Sequence, residues 1–171
     1  MNRKQIICTL VMAFSLFLGG SSEPSSAQTG TSSYYYEGVK FYYNGHEYDI
    51  TDQVKLINSI MSCKPAGKYL VIDGHVGPKN GCYCIFNTET ESFERDIVGS
   101  NLIWRGDDLS TAVYSNWCDV CSYDGTVLAS FKLAPYEFIE DLQFTADGNQ
   151  VKVMIFNRSS QPRVEMVKLK K

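Results

Sequence analysis

Short apolar runs separated by polar turns recur along this chain at a spacing near forty residues. In the middle copy, Leu102, Ile103 and Trp104 precede Asp107-Asp108, then Ala112, Val113 and Tyr114, a turn at Asp124-Gly125, and an apolar strand over Val127 to Leu133. From Trp104 to Phe144 is 144 − 104 = 40 residues, and there the grammar returns: Leu142 and Phe144, a turn at Asp147-Gly148, Val151 to Phe156, then Val164 to Leu169. Shifted back by the same interval, Ser62 to Lys68 holds the turn position ahead of Tyr69 to Ile72 and Cys84 to Phe86. Several short strands per period of this length predict an all-β, antiparallel protein of blade-like repeats. The pattern gives three such units and an N-terminal hairpin, which fits a partial β-propeller or a small sandwich and leaves closure open.

Local signals fill in the elements. Asn44-Gly45 tolerates positive φ at both turn positions, so Val39 to Tyr43 should pair with His46 to Ile50. The tyrosines around this hairpin read as strand residues that bury one face and wet their hydroxyls, with a stacking platform as the functional alternative. Val54, Ile57 and Met61 fall at helical spacing behind Thr51 and Asp52, which allows one short helix near Thr51 to Met61, whereas the repeat alignment places a connecting segment and a first strand near Ile57 to Ser62. Pro65 and Gly67 end that segment, and Asn87-Thr88-Glu89-Thr90 links Cys82 to Phe86 with Ser92 to Val98 as neighbouring strands.

The N-terminus changes the expected address. Arg3 and Lys4 precede the apolar stretch Ile6 to Leu18 and the small residues Gly19 to Ser22, the layout of an export signal. The division expected is a signal and leader over 1–27, a flexible linker over 28–33 and a single β-repeat domain over 34–171. Cleavage after Ala27 or near Ser21 yields a secreted or extracytoplasmic protein; an uncleaved signal would tether it to the membrane. With a net charge of −3, the chain has no basic footprint for nucleic acid.

Candidate chemistry is sparse. His46 and His75 are the two histidines and neither lies in an H-E-x-x-H motif; there is no G-x-S-x-G elbow and no phosphate loop. No catalytic residue, metal site or cofactor is therefore expected. The glycine-rich stretch Gly74 to Gly81 makes Asp73, His75 and Lys79 the best polar cluster for a ligand loop, with a plain surface loop as the alternative. Trp104 joins them as an aromatic candidate, although Trp104 and Trp117 read first as core anchors, with a sugar platform as the alternative. Asp107-Asp108 reads as a turn, because two carboxylates that work on a glycosidic bond must face each other across a cleft. Cys82-x-Cys84 and Cys118-x-x-Cys121 are open to a disulfide between hairpins, to four zinc ligands, or to service as small buried hydrophobes; Cys63 has no evident partner.

The run Cys63 to Tyr69, the loop Asp73 to Gly81, Ile85 to Phe93 and Asn101 to Trp104 together resemble the extracytoplasmic C-terminal β region of Gram-positive membrane-bound antirepressor metallopeptidases, the β-lactam sensor-transducer type. The resemblance implies an envelope address and a sensing or binding role. It implies no peptidase activity, since the zinc motif and the membrane helices of that family are absent here, and it assigns no site residue. The expected function is thus binding or sensing at the cell envelope, toward an envelope protein or a cell-wall-derived ligand. The alternatives are an assembly module that completes a propeller as a homo-oligomer, and a small secreted hydrolase.

Overall fold

A computed structural model describes residues 25–29, 32–77, 80–158 and 161–169. Residues 1–24 of the stretch expected to be signal and leader, and Lys79, lie outside the described residues, while Ser25 to Ala27 of that stretch fall in a strand. The strands are β1 (Ser25–Thr29), β2 (Ser32–Glu37), β3 (Lys40–Tyr43), β4 (His46–Asp49), β5 (Ser59–Ala66), β6 (Tyr69–Gly77), β7 (Asn80–Asn87), β8 (Ser92–Val98), β9 (Ser100–Arg105), β10 (Asp108–Asn116), β11 (Asp119–Ser122), β12 (Val127–Ser130), β13 (Glu137–Phe144), β14 (Gln150–Asn157) and β15 (Arg163–Lys168). They form four antiparallel meanders taken in chain order: β1 to β4, β5 to β8, β9 to β12, and the three-stranded β13 to β15. The protein is all-β, as the periodicity predicts. The repeat starts at Ser59, Ser100 and Glu137, and the N-terminal hairpin belongs to a fourth, compressed unit. Residues 28–33, expected to be a linker, overlap β1 and β2.

Side-chain alternation stacks the sheets face to face. Leu70, Ile72, Cys82, Cys84 and Phe86 of the second sheet meet Phe41, Tyr43 and Ile50 from the first. Their strand neighbours Val71, Tyr83 and Ile85 point the other way, toward Leu102, Leu109, Ala112 and Tyr114 of the third. The third sheet then turns Val113 and Val120 to Leu142, Val151, Val153 and Ile155 of the fourth. Middle sheets buried on both faces have continuous apolar runs, such as Leu70-Val71-Ile72. End sheets alternate: Val151, Val153 and Ile155 are buried while Lys152 and Met154 between them are half-exposed.

The hairpin at Asn44-Gly45 forms in the predicted register, Tyr43 opposite His46, with both turn residues at positive φ. The helix near Thr51 to Met61 does not form. Asp49 accepts a hydrogen bond from the Thr51 amide and starts a single 3-10 turn, Ile50–Asp52. From Ser59 on, the backbone pairs with His75 and Gly74 across the sheet. Val54 and Ile57 still reach the first core, but Met61 is exposed, so strand pairing outcompetes a helix that would bury little.

One residue, Gly99, joins β8 to β9 and so carries the chain from the second sheet to the third. Its amide donates to the Gly81 carbonyl at 3.0 Å. A Cβ there would stand 2.6 Å from the Ser115 carbonyl oxygen and 2.7 Å from the Tyr114 ring. Glycine is required by that close approach.

Candidate functional site

The residues singled out from sequence do not converge. Asp73 and His75 share the face of β6 that carries Val71, toward the third sheet, and burial raises the Asp73 carboxyl against the opposing pull of Lys64 and His75. Trp104 packs half-buried against that same core. It lies toward the other end of the interface, where Gly67 abuts Asp107, whereas His75 pairs with Gly81 beside Gly99. Asp108 is held below the usual aspartate range by Ser110, whose amide it accepts, and so serves its own turn.

The cysteines separate as well. Cys82 and Cys84 lie in the first core, with Cys63 packed against it, while Cys121 lies in the second. All five described cysteines are free thiols: β7 aims its pair at the first sheet, β11 aims Cys121 at the second, and Cys118 lines a cleft between the third and fourth sheets. Burial pushes the Cys63 thiol up to about 12. The hydrogen bond that Cys84 donates to Cys82, together with burial, raises the Cys84 thiol. Thiols raised in this way are poor nucleophiles, while the same bond lowers Cys82. Among the described residues no group of three or more His, Cys, Asp or Glu gathers to hold a metal ion.

Two clefts open between the third and fourth sheets. The smaller, about 410 Å³, is lined by Arg105, Thr111, Ser122, Asp124, Asn149 and others; Thr111, Ser122, Asp124 and Asn149 serve their own turns, and Arg105 lies over the Phe144 ring. Asp124 accepts from Ser122 Oγ at 2.6 Å and from the Thr126 amide at 2.9 Å. Those bonds lower its carboxyl from the ordinary 3.8 to about 2. A carboxylate depressed in the folded state contributes stability above its unfolded value, and that contribution is lost as pH falls through the folded value. The Asp124 side-chain carboxyl should therefore titrate near pH 2 by NMR, with the turn between β11 and β12 intact at pH 4. A midpoint near 3.8 would show that these bonds do not persist in solution.

The larger cleft, about 810 Å³, is built differently. Its rim carries Trp117 and Tyr136, each 76 % exposed, with Phe138 and Val98 also exposed. Trp117 is the first residue of the two-residue link between Asn116 and Asp119, and its φ is 55°. Hairpin loops of that length ask for Gly, Asn or Asp there. Tyr136 is the third residue of the turn closed by the Glu137 amide on the Ala134 carbonyl, 3.0 Å, with Pro135 before it and φ at 70°. That is a type II turn, whose third position calls for glycine or asparagine. Asn101, at φ 56°, completes the set: three of the five non-glycine residues with positive φ among the described residues line this one cleft.

The cleft floor is ordered. Asn101 Nδ2 donates to Ser115 Oγ at 3.0 Å and to the Ile139 carbonyl at 3.3 Å, and Ser115 Oγ donates to the Ser100 carbonyl at 3.0 Å. Glu137 is held below the usual range by the Ala134 amide first and by Arg163 next. Asn116, Glu140 and Arg158 also line the cleft. Of the two expectations for Trp117, core anchor and sugar platform, its exposure removes the first, and Tyr136 and Phe138 carry no expectation from the sequence. The signal was available: an aromatic following proline in a turn, and another in a two-residue hairpin link, occupy places where local chemistry favours glycine. No family model matches the chain, and none of the curated proteins matches it.

Proposed function

We propose that this protein is a binding module of the cell envelope whose ligand lies in the cleft between the third and fourth sheets, against Trp117 and Tyr136. The observation that carries this reading is the pair of aromatic residues held, exposed, at two turn positions that suit glycine or asparagine. A left-handed backbone costs a non-glycine residue about 1–2 kcal/mol. Neither ring recovers that cost by burial. Residues that violate local preference without a packing return are the ones retained for function. The export signal and the resemblance to an envelope sensor region support the address. The cleft supports binding over catalysis, because Glu137 is engaged in its own turn and with Arg163.

The reading predicts a trade of stability against binding. Trp117→Asn and Tyr136→Gly should each raise the unfolding free energy by about 0.5–1 kcal/mol, because each residue suits the turn it enters. Thermal or urea unfolding measures this. A loss of stability in both variants would mean that the rings stabilise the fold, and the proposal would fail.

A further inference from the structure

We propose that the larger cleft takes a neutral oligosaccharide; this rests on the reading of that cleft as the binding site. The face of an aromatic ring carries negative charge density and its edge positive, so an exposed ring attracts the polarised C–H face of a sugar. Trp117 and Tyr136 supply two such rings and Phe138 a third. A sugar also presents hydroxyl edges, which need both donors and acceptors. Asn116 offers an amide, Glu140 a carboxylate and Arg158 a guanidinium, and none of the three has a side-chain partner among the described residues.

Charge narrows the class. Glu140 and Arg158 offset each other, and Glu137 is paired with Arg163 at 3.4 Å, so the cleft holds no excess of either sign to select a phosphate or an acidic chain. Backbone chemistry narrows it further. A peptide that adds as a strand needs free carbonyls along an edge. Here the Ser100 carbonyl already accepts from Ser115 and the Ile139 carbonyl from Asn101. With these two carbonyls already engaged, the burden of recognition falls on side chains and ring faces, which is the manner in which a saccharide is held.

The test uses the full chain with Trp104→Phe, so that tryptophan emission reports Trp117 alone. Chitohexaose, cellohexaose and mannohexaose are titrated as neutral probes, with decaproline and an acidic heparin hexasaccharide as comparators. The expected result is a saturable change with at least one neutral hexasaccharide, insensitive to added salt and weakened about tenfold or more by Tyr136→Gly and by Asn116→Ala. No response to any neutral hexasaccharide overturns the oligosaccharide assignment, whatever else binds. In that event a response to decaproline or to the heparin fragment leaves the cleft standing as a binding site for another class. No response to any probe, combined with lower stability in the turn variants, removes the cleft reading too.

Discussion

Phe86→Ala should lower the unfolding free energy by about 3–5 kcal/mol, the range for removing a large aromatic from a sealed core. Phe86 has no exposed surface, and its ring meets Phe41 at 5.1 Å, Tyr48 at 5.0 Å and Phe93 at 5.3 Å, each at a steep angle. Edge-to-face contacts of this kind add to area burial, and three of them converge on one side chain. Tyr43 closes a fourth side at 5.2 Å. The site cannot collapse readily, because these rings hang from strands of two different sheets whose registers are fixed by their own ladders. A domain of this kind has about 5–15 kcal/mol in total, so the loss is a large share of it. Urea unfolding should show a lower midpoint with an unchanged slope, the sign of lost stability in the same folded state. A shift under about 1 kcal/mol would mean that the first and second sheets do not share a packed core in solution.

Gly99→Ala is the second large effect, and it acts on the site as well as on the fold. The added methyl would meet a carbonyl oxygen of β10 at 2.6 Å, and backbone cannot swing aside as a long side chain can. Overpacking of this kind costs about 1–3 kcal/mol, more where the neighbour is fixed. Gly38→Ala supplies the contrast. Gly38 has φ 59° but nothing within 4 Å of its hypothetical Cβ, so its penalty is limited to the backbone term of about 1 kcal/mol. Gly99 also lines the larger cleft. Its substitution should therefore shift the emission of Trp117, while Gly38→Ala should leave it unchanged. Equal stabilities and equal spectra for the two variants would contradict the close approach of β8, β9 and β10.

Much of the architecture was legible because period and alternation are properties of local sequence. The forty-residue spacing located three sheets, and Asn44-Gly45 set the register of the first hairpin. The contrast between the continuous run Leu70-Val71-Ile72 and the alternating Val151 to Ile155 even encodes which sheets lie inside the stack. Between Thr51 and Met61 the helical spacing misleads and the repeat alignment, with its strand near Ile57 to Ser62, agrees with the fold: Val54 and Ile57 are apolar for a tertiary reason, insertion into the first core. The candidate site was largely illegible. Asp73 and Trp104 look promising in isolation, yet they lie toward opposite ends of one interface. The cleft is assembled from β9, β13 and two turns that are distant in sequence, and what marks it is a backbone conformation that residue type alone does not announce. Trp117 shows the limit: its composition says core, and only its φ and its exposure say otherwise.

The stacking of four sheets in chain order has a mechanical consequence. Each packed core joins sheets that are consecutive along the chain, and the two ends of the described chain belong to the two outermost sheets. Tension applied between those ends loads an outer sheet first and peels it from the next, leaving the remaining cores intact. Extension would proceed in discrete steps. The second sheet, from Ser59 to Val98, would release a contour of about 130–140 Å at the extended rise of a polypeptide. A chain arranged this way yields under load by shedding layers, and the cleft between the third and fourth sheets opens only when the layer that forms its far wall is the one that lets go.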